Sequence, residues 1–179
     1  MKFDTKIIKS KITFKSLRTK KLPKQYKKKI LHLKMQHYKY SYSKQKLWFE
    51  NKIKNNDLHN IIFFNKKLAG YTCLRVNKYS TSKNQLKKNL IFDTCIIDND
   101  LRSLGLGSLL MKFNNKIIRK IKKPAFLLCK KNLLNFYKKF KWKKINKKNV
   151  LFIGHTTKNL NIMSKNFNKK NHFNIKIYI

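Results

Sequence analysis

Apolar and polar positions change their period several times along the chain, and each change marks an element. Residues Ile12 to Leu17 (ITFKSL) alternate, as a half-buried strand does. From Pro23, which suits a first helical turn, Tyr26, Ile30, Leu31 and Leu33 fall at helical spacing and run toward His37. Ser43 is placed to cap a second helix whose packing side is Leu47, Trp48, Phe49 and Ile53, with Asn55, Asn56 and Asp57 ending it. Ile61 to Phe64 and Leu68 to Val76 flank the compact connection Asn65-Lys66-Lys67 and predict an antiparallel hairpin, in which Gly70 marks a bulge or a close approach. Tyr79 to Lys88 is polar and without period, a loop.

The next stretch organises the rest. Asn89 to Asp98 (NLIFDTCIID) is an apolar run ending in turn-formers and reads as a buried strand. Beyond Asn99 to Gly107 (NDLRSLGLG), Leu106, Leu109, Leu110, Phe113, Ile117, Ile118 and Ile121 recur every three or four residues, one face of a helix starting at Ser108. Lys122-Lys123-Pro124 breaks it before a short strand, Ala125 to Cys129. Ser108 to Lys123 is long enough to cross over between two parallel strands. A helix follows Asn132, and Trp142 to Asn146 with Val150 to Gly154 are expected to close the sheet as a hairpin. Residues 1–154 therefore read as one domain. Residues 155–179 read as an Asn/Lys-rich tail, loosely ordered until Phe173 to Ile179, whose alternation suits a terminal edge strand.

A helix that starts behind a glycine-bearing turn offers unpaired backbone N–H groups and its positive dipole end, a setting for phosphate. Gly105 and Gly107 permit the backbone angles and the close approach. A dinucleotide fingerprint would need glycine where Leu110 stands, and a P-loop would need Gly-Lys-Ser/Thr, so neither applies. What remains, Arg102-Ser103-Leu104-Gly105-Leu106-Gly107 between strand and helix, resembles motif A of the GNAT (general-control-related N-acetyltransferase) superfamily, whose loop cradles the pyrophosphate of coenzyme A. Downstream, Ala125 to Cys129 and then Asn132, Phe136, Tyr137 and Trp142 resemble the family's motif B, although Lys141 replaces the usual glycine and Asn99 stands where many members carry proline.

The resemblance implies an α+β fold of layered α/β type, the GNAT-like acyl-CoA N-acyltransferase fold. Its central sheet would be mixed and mostly antiparallel, of about seven strands flanked by about four helices, and splayed at strands 4 and 5. It also implies acetyl-CoA as cosubstrate and no metal. The backbone of Cys95, Ile96 and Ile97 would meet the pantetheine and the thioester oxygen, Arg102, Ser103, Leu104, Gly105, Leu106, Gly107 and Ser108 the pyrophosphate, and Asn132 the cofactor arm, unless Asn132 simply caps its helix. Tyr137 falls on the tyrosine that in many members protonates the departing thiolate. Its phenol, with a solution pKa of about 10, holds a proton at neutral pH. The alternative is a packed helix aromatic.

The general base is not legible. Asp93, Glu50, His37 and His59 are candidates with no defined geometry, and a water chain would leave no trace. His37, Tyr38, Tyr40, Tyr42 and Trp48 lie where the family builds its acceptor site, though aromatics at a helix junction are commonly core.

Composition modifies this picture in three ways. A net charge of +40 ordinarily points to nucleic acid, yet only Arg18, Arg75, Arg102 and Arg119 are arginines among 46 basic residues. Abundant Lys, Asn, Ile and Phe beside scarce Gly and Ala is what A+T-rich coding sequence yields, so the charge need not mark a ligand. Cys73, Cys95 and Cys129 are odd in number, lack metal-ligand spacing and read as buried reduced thiols. No apolar run approaches bilayer length and the first residues carry no apolar h-region, so the expectation is a cytoplasmic protein without membrane contact, a monomer or homodimer. With six acidic residues available, the acceptor amine is expected on a neutral or anionic small molecule such as an amino sugar rather than on a polycation or a protein. A basic nucleic-acid-binding protein, or a non-catalytic acyl-CoA-binding module, is the alternative.

Overall fold

The computed structural model describes residues 11–81, 85–154, 157–167 and 175–179. Among these, the elements run β1 (Ile12–Arg18), α1 (Lys24–Met35), α2 (Tyr42–Lys52), β2 (Leu58–Phe64), β3 (Lys67–Ser80), β4 (Lys87–Ile97), α3 (Leu106–Ile121), β5 (Ala125–Cys129), α4 (Leu134–Lys139), β6 (Lys143–Ile145), β7 (Val150–Ile153), β8 (Asn161–Lys165) and β9 (Ile175–Tyr178). The strands form one mixed sheet of nine, hydrogen-bonded in the order β1-β2-β3-β4-β5-β8-β6, with β9 pairing both β3 and β7. The parallel β4–β5 ladder joins Leu90 to Ala125 and Ile91 to Phe126. Beyond it the two strands splay, β4 running on to Ile97 and β5 to Cys129.

The order expected through β5 and α4 is realised, and the differences lie at the ends of elements and near the C-terminus. β3 extends through Tyr79 and Ser80 and β4 begins at Lys87, so the loop expected over Tyr79 to Lys88 is shorter. Pro23 sits at the cap of α1, its carbonyl accepting from Tyr26 and Lys27, rather than inside the first turn. Ser41, not Ser43, caps α2. Its extended backbone lets Oγ accept from the amide of Lys44 three residues on. Of the expected packing side of α2, Leu47 is 59% exposed, while Phe49 is buried and Ile53 is partly buried against the core; Gln45 is buried as well.

Trp142–Asn146 and Val150–Gly154 do not pair with each other. β6 pairs antiparallel with β8, and β7 parallel with β9. β8 comes from the stretch expected to be loosely ordered, and β9 from the stretch expected to form a terminal edge strand. β8 lies between β5 and β6 with Ile162, Met163 and Ser164 all buried, so it is covered on both faces and shows no alternation. β9 has neighbours on both sides and is not an edge. The part of that tail at residues 168–174 lies outside the described residues.

The chain forms two compact units, Met1–Cys73 with Thr94–Asn114 and Leu74–Asp93 with Asn115–Ile179. In the first, successive side chains leave the sheet on opposite faces, as the two-residue period requires. Ile61, Phe63 and Ile96 pack with Ile30 and Leu33 of α1, while Ile62, Ala69 and Ile97 pack with Leu106 and Leu110 of α3. Asn65 and Lys66, both at positive φ, make the two-residue turn whose twist matches the β2–β3 hairpin. Gly70 sits in close packing rather than in a bulge. An added Cβ would collide with Ile97 Cδ1 and lie 2.9 Å from both Ile62 Cγ2 and the Ile96 carbonyl oxygen.

On α3 the buried line is Leu106, Leu110, Met111, Asn114 and Ile118. Asn114 is the polar member that periodicity cannot foresee. Its Oδ1 accepts from Asn60 Nδ2 at 2.7 Å and Thr72 Oγ1 at 2.8 Å, and its Nδ2 donates to Leu110 O. The second unit has its own core of Tyr79, Ile91, Phe126, Ile145, Phe152, Ile162, Ile175 and Ile177.

Candidate active site

The turn between β4 and α3 is built by backbone geometry. Thr94, inside β4, has φ of +60°, and a β-branched residue held there costs about 1–3 kcal/mol. Four residues later Asp98 N donates to Ala69 O at 2.8 Å, and Asp98 Oδ1 accepts from Asp100 N to start the 3₁₀ turn Asn99–Leu101. Ser103 and Gly105 then both take left-handed backbone, φ +68° and +73°, and α3 starts at Leu106, two residues earlier than its apolar spacing implies. Gly105 O accepts from Ser108 N and Leu109 N, so the first helical amides, those of Leu106 and Gly107, face out of the helix end. An added Cβ on Gly105 would meet nothing within 4 Å, so the space in front of the turn is open. The residues therefore fit an anionic group: outward amides, a dipole end, an exposed Arg102 and an unfilled cradle.

Cys95 to Ile97 reach this turn in the same unit, with their side chains already committed. Ile96 and Ile97 go to opposite cores, and the Cys95 sulfur turns inward to Met111 Sδ at 4.0 Å, its thiol pushed up to about 12 by burial. The strand thus has only backbone to offer a ligand. The C-terminal corner of α1 clamps the turn. Gln36 Nε2 donates to Asp98 Oδ2 and Gln36 Oε1 accepts from Asn99 N, while His37 bonds to Ile97 O at 2.8 Å and to Arg102 Nη2 at 2.9 Å. Burial lowers the His37 pKa. The Ile97 hydrogen bond opposes that, Arg102 adds to it and Asp98 opposes it.

Of the other aromatics expected at an acceptor site, Tyr38 and Tyr40 are exposed, and Tyr42 packs on His32 with ring centroids 5.1 Å apart. Trp48 carries the Lys34 ammonium 3.6 Å above its ring. The candidate bases are committed as well: Asp93 pairs with Arg75 at 3.2 Å and Glu50 with Lys27 at 3.1 Å. His59 is fully buried between Phe49 and Tyr71, bonded to Tyr71 Oη and Thr19 Oγ1, and burial lowers its pKa to about 4. Cys73 and Cys129 are buried and in no disulfide, and no metal-binding group of His, Cys, Asp or Glu exists among the described residues.

Asn132 and Tyr137 belong to the second unit. Asn132 is exposed within the 3₁₀ turn Lys131–Leu133. It does not cap that turn or α4, whose cap positions are Lys130 and Leu133. Tyr137 is 7% exposed, its ring edge-on to Phe92 at 6.2 Å and beside Phe136 at 5.3 Å. α4 ends in a Schellman motif. Trp142 N donates to Tyr137 O and Lys141 N to Lys138 O, Lys141 is left-handed with φ +63°, and the Trp142 ring closes on Tyr137 at 6.5 Å. The motif that ends the helix therefore also holds the tyrosine.

The sequence matches no family model and no curated protein. Solved structures are similar in fold. ElaA of Escherichia coli superposes with a TM-score of 0.63 at 16% identity, over 86% of this chain and 99% of that chain. The GNAT-family N-acetyltransferase YhbS of Escherichia coli, solved in complex with CoA, gives 0.65 at 11% identity over 94% and 89%. Naa50 of Arabidopsis thaliana, bound to a CoA-peptide bisubstrate analogue, gives 0.56 at 18% over 88% and 99%.

Proposed function

We propose that this chain, which has the fold of the GNAT superfamily, is an acetyl-CoA-dependent N-acetyltransferase acting on a primary amine. The observation that carries the reading is the turn Arg102–Ser108, where two left-handed residues, Ser103 and the open Gly105, turn the first amides of α3 outward for an anion. Acetyl-CoA supplies an acyl group activated as a thioester. The outward amides of Leu106 and Gly107, with the Ser108 hydroxyl and Arg102, hold the pyrophosphate; the backbone of Cys95, Ile96 and Ile97 aligns the arm, and Asn132 contacts it. Tyr137 Oη holds the proton that the leaving sulfur requires. Among the acids, Glu50 and Asp93 lie in ion pairs, Asp57 Oδ2 accepts from Lys54 N and Asp98 is tied to Gln36 and Asp100. This supports an acceptor that is neutral or anionic, a small molecule such as an amino sugar in preference to a protein.

The test compares melting with acetyl-CoA and with ATP at equal concentration and ionic strength. At about a hundredfold over its dissociation constant, acetyl-CoA should add roughly 2.7 kcal/mol, about 5–10 °C here. An equal shift with ATP would mean that a +40 chain merely collects polyanions, which supports the nucleic-acid alternative. In the same preparation, Tyr137→Phe should lower thiol release from acetyl-CoA by roughly tenfold or more without weakening binding. Unchanged release removes the proton-donor role.

A further inference from the structure

The bonds around His37 determine its protonation state. A carbonyl oxygen only accepts, so the 2.8 Å contact with Ile97 O requires a proton on Nε2. A guanidinium only donates, so Nδ1, 2.9 Å from Arg102 Nη2, must carry a lone pair. Only the neutral Nε2–H imidazole satisfies both. A second proton would set N–H against N–H and cation against cation.

Ile97 is the last residue of β4 and Arg102 opens the glycine turn, so one ring spans the 3₁₀ turn and joins its two ends. Arg102 is exposed, and an exposed arginine samples many rotamers. A partner that fixes its fork removes part of the ordering cost when an anion arrives. We propose that His37 is a positioning residue for the anion-binding turn: as a neutral imidazole anchored on the Ile97 carbonyl, it holds the Arg102 guanidinium ready for the phosphates of the cosubstrate. This rests on the reading of the turn as the coenzyme A site.

Protonation of His37 releases Arg102, so binding depends on pH. Burial disfavours the imidazolium most strongly; the Ile97 carbonyl favours it, Arg102 disfavours it and Asp98 favours it. Lys34, on α1 itself, is directed onto the Trp48 ring. The neutral form therefore persists below the ordinary histidine pKa of about 6.5 and is lost on further acidification.

The experiment measures CoA affinity of the full chain by titration calorimetry from about pH 7.5 to about pH 5. The proteins are wild type, His37→Asn, His37→Ala, Arg102→Ala and the double alanine variant. Asparagine keeps an acceptor toward Arg102 but does not titrate, and its profile carries the ligand's own phosphate ionisation, which the ratio to wild type cancels. At neutral pH, His37→Ala should weaken binding about tenfold and His37→Asn should restore most of it, while the double variant binds no more weakly than Arg102→Ala. On acidification, wild type should lose affinity relative to His37→Asn as the imidazole takes up its second proton. Additive effects of the two alanines, or His37→Asn binding no better than His37→Ala at neutral pH, overturn the positioning role and leave the site reading intact. Wild-type affinity for CoA no better than for ATP overturns the site reading and the positioning role together.

Discussion

Lys141 occupies a backbone geometry that glycine adopts freely and other residues adopt at a cost of about 1–2 kcal/mol. Replacing it also removes a charge that, with Arg119, lowers the pKa of the half-buried Lys165 after burial has lowered it. Both effects favour Lys141→Gly in the folded state, and the greater freedom of glycine in the unfolded chain offsets part of the gain. The expected net is a stabilisation of about 0.5–1 kcal/mol, a melting increase of roughly 1–4 °C, with Tyr137 packing unchanged. A fall in melting temperature would show that the lysine stem contributes more than its backbone angle costs. In the sequence, lysine at this position looks like a departure from the motif, because sequence records side-chain identity and not φ. The left-handed cap survives the exchange. The His37 bridge is illegible for a similar reason: residues 65 apart in sequence meet at 2.9 Å, and no local pattern encodes that.

At the scale of elements, β4 and α3 were legible because each buries one continuous apolar pattern, and the turn between them because two glycines interrupt it. β8 was not, since three consecutive buried residues, Ile162, Met163 and Ser164, carry no period to detect. Nor was the cap of α2, where Ser41 and Ser43 are equally good by type and only the extended backbone of Ser41 selects it. Gly70 shows how one element fixes another. It lets Ile97 and the Ile96 carbonyl close on β3, and these two residues belong to the segment proposed to align the cosubstrate arm. Gly70→Ala must displace Ile97 Cδ1, which is mobile, and the Ile96 carbonyl, which is not. The expected cost is about 1–3 kcal/mol in urea denaturation, together with weaker acetyl-CoA binding from the shift in β4. Loss of stability with affinity intact would place the strain in the α3-side core alone and separate Gly70 from the site.

For the molecule as a whole, charge dominates. Against 46 basic residues stand six acidic ones, of which Glu50 pairs with Lys27 and Asp93 with Arg75. Most lysines therefore repel one another across the surface. At about 10 mM salt the screening length is roughly 30 Å and repulsion acts across the fold; at about 150 mM it is roughly 8 Å and only neighbours interact. Because unfolding separates the charges, stability should rise with salt, by several degrees in melting temperature between about 10 and 300 mM NaCl. A flat or falling curve would mean that the lysines are compensated locally. The same screening separates general from specific anion binding. Attraction to diffuse positive charge fades as salt rises, whereas outward amides and a fixed guanidinium at Arg102–Ser108 act at contact distance. The ratio of acetyl-CoA to ATP affinity should therefore grow between those two salt concentrations. A constant ratio would show that the turn contributes nothing beyond the charge of the chain, and the case for a coenzyme A site would then rest on fold alone.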